Sequence, residues 1–268
     1  MRIEHLSEPV CEVPFLNAGR GGRPAFLDRL PVHVGTLDRP PEGLDAVLAT
    51  ADLQGRWPDD PPGDRRLLGE ALPRLLREEL LPDLGVDPAR CGVLLCGDFY
   101  TLPDLSKRGG SGDVRAVWRA FAGEFPWVVG VAGNHDTFGQ TVAPAGRLGR
   151  NATYLDGSAT WVDGLSVAGV GGIVGNPRKP HRKTEEEFDR LFGELLDADP
   201  PDVLLLHDGP DDPRGGGVGK PRLRASLEAR PRTLVVRGHA HWEEPLAELD
   251  NGTQVLNVDC RVAVLRAG

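Results

Sequence analysis

Short runs of apolar residues recur along the chain, and each is followed by polar residues. The runs cover residues 46–51, 92–96, 127–132, 203–206 and 233–236. Their length of four to six residues and their richness in Val, Leu and Ala are typical of β-strands that are covered on both faces. We therefore expect these runs to form the centre of one or more sheets.

Between these runs, apolar residues recur at helical spacing and predict amphipathic helices. The leucines of residues 67–80 follow this period, although Pro73 should kink or restart the helix. Asp113 is expected to cap a second helix. The segment Thr184-Glu185-Glu186-Glu187 has the pattern of a capping box at the start of a third helix, and residues 223–230 predict a short fourth one.

Hairpin signals appear in the second half of the chain. Asp163-Gly164 and Asn251-Gly252 each separate two apolar segments, and a last strand is expected near residues 261–265. Residues 1–44 are broken by Pro and Gly and predict either extra strands or a loop-rich flap before a domain that spans residues 45–268. This order of elements predicts an α/β protein whose sheets have mixed strand directions and pack between helices.

Composition narrows the class of protein. The chain has 268 residues, 40% of them hydrophobic and 26% charged, which fits one large globular domain. The net charge of −9 argues mildly against non-specific binding of nucleic acid, although bound cations can invert a local field. Since no apolar run approaches the length of a membrane span and the four cysteines form no Cys-x-x-Cys pair, we expect a cytoplasmic protein with reduced thiols and no membrane contact.

Residues that can bind metal ions follow each predicted core strand. Ligands of open α/β sheets bind beyond the carboxyl ends of the strands, so these side chains can converge on one site. Carboxylates, imidazoles and amide oxygens together suit divalent ions such as Mn²⁺, Fe²⁺ or Zn²⁺. In chain order the candidates are Asp52 and Gln54, then Asp98, then Asn134, His135 and Asp136, then His207, and finally His239 and His241.

This ordered set of motifs resembles the calcineurin-like metallophosphoesterase superfamily. The matching segments are Gly97-Asp98, Gly133-Asn134-His135-Asp136, the lone His207 and Gly238-His239-Ala240-His241, within a resemblance that runs from about Ala46 to Val264. The resemblance implies a four-layer α/β-β/α sandwich, in which two mixed β-sheets are flanked by helices.

The resemblance also assigns roles to the candidate residues. It implies that Asp52 and His241 bind one divalent metal ion, that Asn134, His207 and His239 bind a second, and that Asp98 bridges both. His135 would assist the substrate or the leaving group, and Asp136 would hold His135.

Two departures from the family pattern bear on metal and substrate. The first motif of the family usually ends in His, where this chain has Gln54, whose amide oxygen prefers harder cations. We therefore favour Mn²⁺, with Fe²⁺, Zn²⁺ and Mg²⁺ as other candidates, and expect the first position to be the weaker one. Protein Ser/Thr phosphatases of this superfamily continue Gly-Asp with Asp-Arg-Gly, whereas this chain continues with Phe99-Tyr100-Thr101.

The expected activity is hydrolysis of a phosphate mono- or diester by a metal-bound hydroxide at a dinuclear centre. Two cations about 3.5–4 Å apart can activate water and stabilise both the attacking and the leaving oxygen. Arg56 and Asn134 are the candidates for binding the phosphate of a phosphorylated small molecule or a nucleotide-like ester. Two alternatives remain open, a nuclease or phosphodiesterase that acts on nucleic acid and a catalytically weak scaffold for protein binding.

Overall fold

The computed structural model describes residues 1–19, 21, 23–39, 41–107, 109–144, 148–197 and 199–267. Among these residues, no helix is long and apolar enough to cross a membrane. The helices are α1 (Leu68–Leu75), α2 (Leu81–Asp83), α3 (Arg115–Glu124), α4 (Glu185–Asp197) and α5 (Pro221–Glu228), with a π-helix at Leu76–Leu80 and a 3-10 helix at Pro88–Arg90. The strands are β1 (Ile3–Leu6), β2 (Cys11–Asn17), β3 (Phe26–Leu37), β4 (Ala46–Ala51), β5 (Cys91–Leu95), β6 (Gly112–Asp113), β7 (Trp127–Gly130), β8 (Asp136–Thr137), β9 (Ala152–Tyr154), β10 (Ser158–Val162), β11 (Leu165–Val170), β12 (Ile173–Val174), β13 (Arg182–Lys183), β14 (Val203–Leu206), β15 (Leu234–Arg237), β16 (Leu246–Glu248), β17 (Gln254–Asn257) and β18 (Arg261–Ala267).

Two large mixed sheets dominate the architecture. The first has the order β1-β3-β18-β4-β5-β7-β9, with β2 also paired to β3, and the second has the order β10-β11-β14-β15-β17-β16. Strands β4, β5, β7 and β9 run parallel in the first sheet, and β11, β14, β15 and β17 run parallel in the second. The carboxyl ends of each parallel set therefore share one edge.

Apolar side chains fill three layers between the sheets and the helices. Leu48 and Leu95 pack with the helices α1 and α3, whereas the neighbouring Leu94 faces the second sheet. On that sheet, Leu205 faces the layer between the sheets, and Leu204 packs under α4 and α5. Because successive residues of a strand point to opposite faces, both sheets are covered on both sides. This arrangement confirms the predicted α/β sandwich of four layers.

Two helices differ in detail from the sequence expectation. Pro73 does not restart its helix but lies inside α1, and the hydrogen-bond spacing changes three residues later, where the π-helix begins. Asp113 lies one residue before the cap position of α3, which is Val114, and its Oδ1 accepts a hydrogen bond from the Arg115 amide at 3.0 Å. The carboxylate of Asp113 thus stabilises the turn that leads into the helix.

The N-terminal segment, for which the pattern left open strands or a flap, forms three strands of the first sheet. β3 pairs in parallel with β18 from Val32 to Leu37, and β1 and β2 pair with β3 on its other side. Phe15 of β2 is only 1% exposed. These strands are therefore integral to the sheet and do not form a separate flap.

Candidate metal centre

The ends of several core strands meet between the two sheets. The side chains of Asp98, His207 and His239, which follow β5, β14 and β15, offer ligand atoms that all lie within 4.8 Å of one another. Asp98 Oδ2 is 3.3 Å from His207 Nε2. Three of the predicted ligands thus form one compact group of a carboxylate and two imidazoles, the donor types that divalent transition metals prefer.

The hydrogen bonds of His207 leave one ring nitrogen ready to bind a cation. His207 is fully buried, and its Nδ1 lies 2.7 Å from the carbonyl oxygen of Cys96. Because a carbonyl only accepts hydrogen bonds, Nδ1 carries the hydrogen and the lone pair of the neutral ring lies on Nε2. Nε2 makes no hydrogen bond of good geometry, although Oδ2 of Asp98 lies 3.3 Å away, and among the described residues the buried Oδ1 of Asn134 has no hydrogen-bond partner. Buried polar atoms without partners are rare, and a metal ion held by these two atoms would account for both.

Charge interactions within this group favour one bound positive charge. Burial acts to lower the pKa of His207, but the carboxylates of Asp98 and Asp52 outweigh it and raise this pKa to about 10. Burial and the positive charge on His207 together lower the pKa of His239 to about 4. A metal ion that replaced the proton on His207 would be stabilised by the same two carboxylates, Asp98 and Asp52.

Asp136 fixes the two loops that carry Asp98 and Asn134. Its carboxylate accepts hydrogen bonds from the amides of Asp98, Phe99 and Gly133 at 2.9, 2.9 and 2.8 Å. Burial, and then the charge of Asp98, raise the pKa of Asp136 to about 6. The resemblance implied that Asp136 holds the ring of His135. Because all these partners are backbone amides, the carboxylate of Asp136 instead holds the two loops together.

The ring of His135 lies beside the metal group but has a different partner. Its Nδ1 is 3.3 Å from the hydroxyl of Ser111, and its own amide donates to Asp98 Oδ1 at 2.8 Å. Burial lowers the pKa of His135, the charge of Asp98 opposes this effect, and the positive charges of His207, Arg182 and Lys107 add to it. Ser111 and Lys107 belong to loops with no strand-end pattern and were not predicted, whereas Arg182 of β13 belongs to the densest basic run of the sequence, residues 177–183, which could be expected either to bind an anionic substrate or to form a solvated loop.

Backbone geometry at the centre is unusual for non-glycine residues. Asp52, Asp98 and His239 have φ values of 55°, 59° and 72°. Such conformations cost on the order of 1–3 kcal/mol each and cluster at functional sites. The backbones of Gly97 and Gly133 are in close contact: a Cβ atom added to Gly97 would lie only 2.1 Å from the nitrogen of Gly133. The two glycines thus allow the loops of Asp98 and Asn134 to pack directly against each other.

Asp52, Gln54 and His241, to which the resemblance assigns the first metal, line one groove next to the compact group, and we call this place the first metal position. Asp52 Oδ2 accepts a hydrogen bond from the amide of His239 at 2.8 Å, and Gln54 Nε2 lies 3.4 Å from Asp98 Oδ2. Burial, followed by the charge of Asp259, raises the pKa of Asp52. His241 is outside the compact group, and its Nδ1 lies 3.6 Å from Asp259 Oδ2.

Arg56 has a different environment from the one expected for a substrate-binding residue. It is only 7% exposed, and its two Nη atoms donate to the carbonyl oxygens of Arg65 and Thr101 at 2.7 and 2.6 Å. Through these hydrogen bonds the guanidinium of Arg56 connects the segment after β4 to the loop that carries Thr101. We therefore do not include Arg56 in the proposed phosphate site, whereas Asn134 lies beside the compact group with its Oδ1 free of hydrogen bonds from described residues.

A groove of about 1100 Å³ opens onto the first metal position. Its walls come from the N-terminal strands and from the segment after His241. Acidic side chains outnumber Arg and Lys along these walls, and the acidic residues that line it are Glu4, Glu8, Glu12, Asp28, Asp52, Glu243, Glu244 and Asp259, against Arg29 and Arg261.

Comparisons with known proteins agree with this architecture. The family model of the calcineurin-like phosphoesterases matches residues 40–243. No curated protein sequence matches the chain. The crystal structure of TT1561 from Thermus thermophilus is similar, with a TM-score of 0.56 and 19% identity over 81% of this chain and 90% of that one.

Two further solved structures are more distant. A hypothetical protein of Thermus thermophilus has a TM-score of 0.47 and 18% identity over 79% of this chain and 75% of its own. The phosphopantetheinyl hydrolase of Mycobacterium tuberculosis has a TM-score of 0.42 and 14% identity over 81% of this chain and 90% of its own. Since the family model covers more than half of the residues and the motif side chains meet in one place, the chain belongs to the calcineurin-like phosphoesterase family.

Proposed function

We propose that this protein hydrolyses a phosphate ester of a small molecule at a dinuclear metal centre. The observation that carries the proposal is the compact group itself, in which the lone pair of the buried His207 Nε2 faces Oδ2 of Asp98 at 3.3 Å, so that a proton or a cation is needed between the two acceptor atoms. A structural histidine would satisfy both ring nitrogens, whereas a metal ligand leaves one lone pair for the cation.

The donor atoms divide between two positions that share Asp98. Asn134, His207 and His239 would complete one position, and Asp52, Gln54 and His241 would complete the other. When bound, two such cations supply Lewis acidity that lowers the pKa of a coordinated water and neutralises the phosphoryl oxygens. The protein residues hold these donors in place through the backbone bonds of Asp136 and the close contact of Gly97 with Gly133.

His135 is the residue placed to act on the leaving group. With Nδ1 facing Ser111, its Nε2 has no hydrogen bond from a described residue and remains available to the substrate. A histidine in this place would donate a proton to the leaving oxygen as negative charge develops there, which is typically worth about 10²–10⁴-fold in rate. The charges of Lys107 and Arg182 near His135 favour an anionic phosphoryl group on this side of the centre.

The acidic groove supports a small-molecule ester over nucleic acid. A polynucleotide that entered the groove would place several phosphates against carboxylates, and like charges repel. Residues 177–183, with the sequence Pro-Arg-Lys-Pro-His-Arg-Lys, form the densest basic run of the chain and favour the nucleic-acid alternative, since Arg182 lies near enough to His135 to affect its pKa. The charge of Arg182 near His135 fits a single phosphoryl group as well.

The test is turnover by the purified full chain. p-Nitrophenyl phosphate and bis(p-nitrophenyl) phosphate are offered with Mn²⁺, Mg²⁺, Zn²⁺ and Fe²⁺ in turn, beside a single-stranded oligonucleotide at low and high salt. We expect metal-dependent hydrolysis of at least one aryl ester and no salt-sensitive cleavage of the oligonucleotide. Bound metal without turnover of any ester would instead favour the scaffold, and oligonucleotide cleavage would favour the nuclease.

A further inference from the structure

We propose that Asp259 is a ligand of the first metal position and supplies the strong donor that this position lacks because residue 54 is glutamine. The inference rests on the dinuclear centre of the proposed function and extends it by one residue. Asp259 lies beyond residues 40–243, the part of the chain that the family model matches.

The backbone places Asp259 directly beside Asp52. After β17 the chain returns along the end of β4, where the amide of Ala51 donates to the carbonyl of Val258 and the amide of Cys260 donates to the carbonyl of Ala51, both at 3.2 Å. Ala51 and Asp259 form a parallel bridge pair. The residue after β17 thus reaches the same edge as the residues after β4, β5, β14 and β15.

The side chain of Asp259 faces the residues of the first metal position. Its Oδ2 lies 3.6 Å from Nδ1 of His241, and the side chain is 15% exposed. Asp259, Asp52, Gln54 and His241 line the same groove. Among the described residues, none donates a hydrogen bond to the Asp259 carboxylate. Nη2 of the nearby Arg261 donates to the carbonyl of Trp242 at 2.8 Å and lies 3.5 Å from both ring nitrogens of His241.

The charges at this point call for a cation. Two largely buried carboxylates, Asp52 and Asp259, act on each other by like-charge repulsion. The positive charges of Arg237 and Arg261 also act on Asp259, but both guanidinium groups donate their hydrogen bonds to backbone carbonyl oxygens and none to the carboxylate. The amide of Gln54 brings no charge, and it is a weaker donor than imidazole for Zn²⁺ or Fe²⁺. A second carboxylate would restore the donor strength of the position and would favour a harder ion such as Mn²⁺.

The experiment counts metal ions directly and does not depend on activity. Mn²⁺ binding to the full chain is measured by titration calorimetry, and anomalous scattering locates the ions, for the wild type, Asp259→Asn, Gln54→His and the double variant. Glu244→Gln is the matched control, because Glu244 lines the same groove. Thermal unfolding without metal checks that each variant is folded.

We expect two ions in the wild type and in Glu244→Gln. Asp259→Asn should keep the ion at the compact group and weaken the other by about 10–100-fold or more, and Gln54→His should restore much of that loss. Two ions bound in Asp259→Asn with wild-type affinity would overturn the proposal. A loss that Gln54→His does not rescue would overturn it too, because Asp259 would then only orient His241.

The outcome for the wild type separates this inference from the proposed function. If the wild type binds two ions, with Asp259 on one of them, but hydrolyses no phosphate ester, the ligand assignment stands and the proposed activity fails. If the wild type hydrolyses esters with a single ion bound at Asp98, His207 and His239, the phosphoesterase activity stands without the second metal, and the role of Asp259 is refuted.

Discussion

Gln54 Nε2 lies 3.4 Å from Oδ2 of Asp98, so the residue that replaces the family's usual histidine still contacts the carboxylate expected to bridge two metals. Residue 54 thus lies where the family's histidine is expected, but its side chain offers a different donor group. An imidazole there would offer a lone pair to a cation, whereas an amide offers a weaker oxygen donor.

We expect Gln54→His to tighten Zn²⁺ binding at the first metal position by about tenfold or more, because imidazole is the stronger ligand for this ion. Calorimetric titrations with Zn²⁺ and with Mn²⁺ measure the change and the shift in preference. The control is Gln140→His, which adds a histidine at an exposed position. Equal affinities in the wild type and Gln54→His for both ions would contradict the prediction.

Asp98→Asn should abolish activity and remove bound metal together. Asp98 contributes to the compact group and contacts Gln54 of the first metal position, so the loss of its charge weakens both positions. We expect more than about a hundredfold loss of turnover. Metal content of the purified protein and turnover of an aryl phosphate are measured beside Asp64→Asn, an exposed carboxylate away from the centre. Full metal content with near-normal turnover would rule out a bridging role.

His135→Ala should harm poor leaving groups far more than good ones. An alkyl phosphate needs a proton on its leaving oxygen, whereas p-nitrophenolate leaves without help, so we expect a loss of about 10²–10⁴-fold on the alkyl ester and a much smaller one on the aryl ester. The two substrates are compared in one enzyme preparation with its metal content measured. Equal losses on both would mean that His135 positions the phosphate only.

Phe15→Ala should destabilise the whole protein. Phe15 is 1% exposed and packs against Gly55, where a Cβ atom would lie 2.2 Å from the ring. Removing a buried phenyl ring typically lowers the free energy of unfolding by about 3–5 kcal/mol. Urea unfolding is compared with Phe26→Ala, whose side chain is 47% exposed in the same sheet. A loss as small as that of the control would mean that the N-terminal strands are loosely attached.

Acid should weaken the fold partly through His33. This residue is 7% exposed, its Nδ1 lies 2.9 Å from the carbonyl oxygen of Ser7, and burial lowers its pKa. The unfolded chain, with a histidine pKa of about 6.5, therefore binds the proton more readily than the folded state. The contribution is complete above about pH 6.5 and is lost as the pH falls toward the lowered pKa.

The check is urea unfolding between pH 8 and pH 5 of the wild type and His33→Gln. We expect the free energy of unfolding of the variant to fall less steeply between pH 6.5 and pH 5. His5→Gln, at an exposed position, should keep the wild-type slope. Parallel curves for the wild type and His33→Gln would show that His33 contributes nothing to the acid response.

The central strands and the compact group were predictable because their signals are local. A short apolar run such as residues 203–206, followed at once by His207, predicts both the strand and the candidate ligand at its end. The rule that ligands lie beyond strand ends then brings Asp98, His207 and His239 together without any knowledge of their distances. The four-layer sandwich came from the resemblance to the family and not from periodicity.

Features that depend on partners far along the chain were not predictable. β3 pairs with β18, and neither strand carries a mark of the other. The carboxylate of Asp136 could not be assigned to the amides of Asp98 and Phe99 before the loops were placed. Asp259 follows a strand as the other candidates do, but the turn signal Asn251-Gly252 predicts a hairpin and does not mark where its second strand, β17, ends.

The placement of β18 between β3 and β4 has a consequence for synthesis of the chain. Until residues 261–267 leave the ribosome, β3 and β4 each present a strand edge that nothing else in the sheet can pair. Unpaired strand edges can pair with strands of other chains, so the nascent chain is exposed to aggregation until β18 is available. The first sheet therefore closes only after translation has passed its last strand, and the burial of Asp52 beside β18 is delayed to the same moment. Any cation that binds at the first metal position therefore binds after β18 has paired with β4.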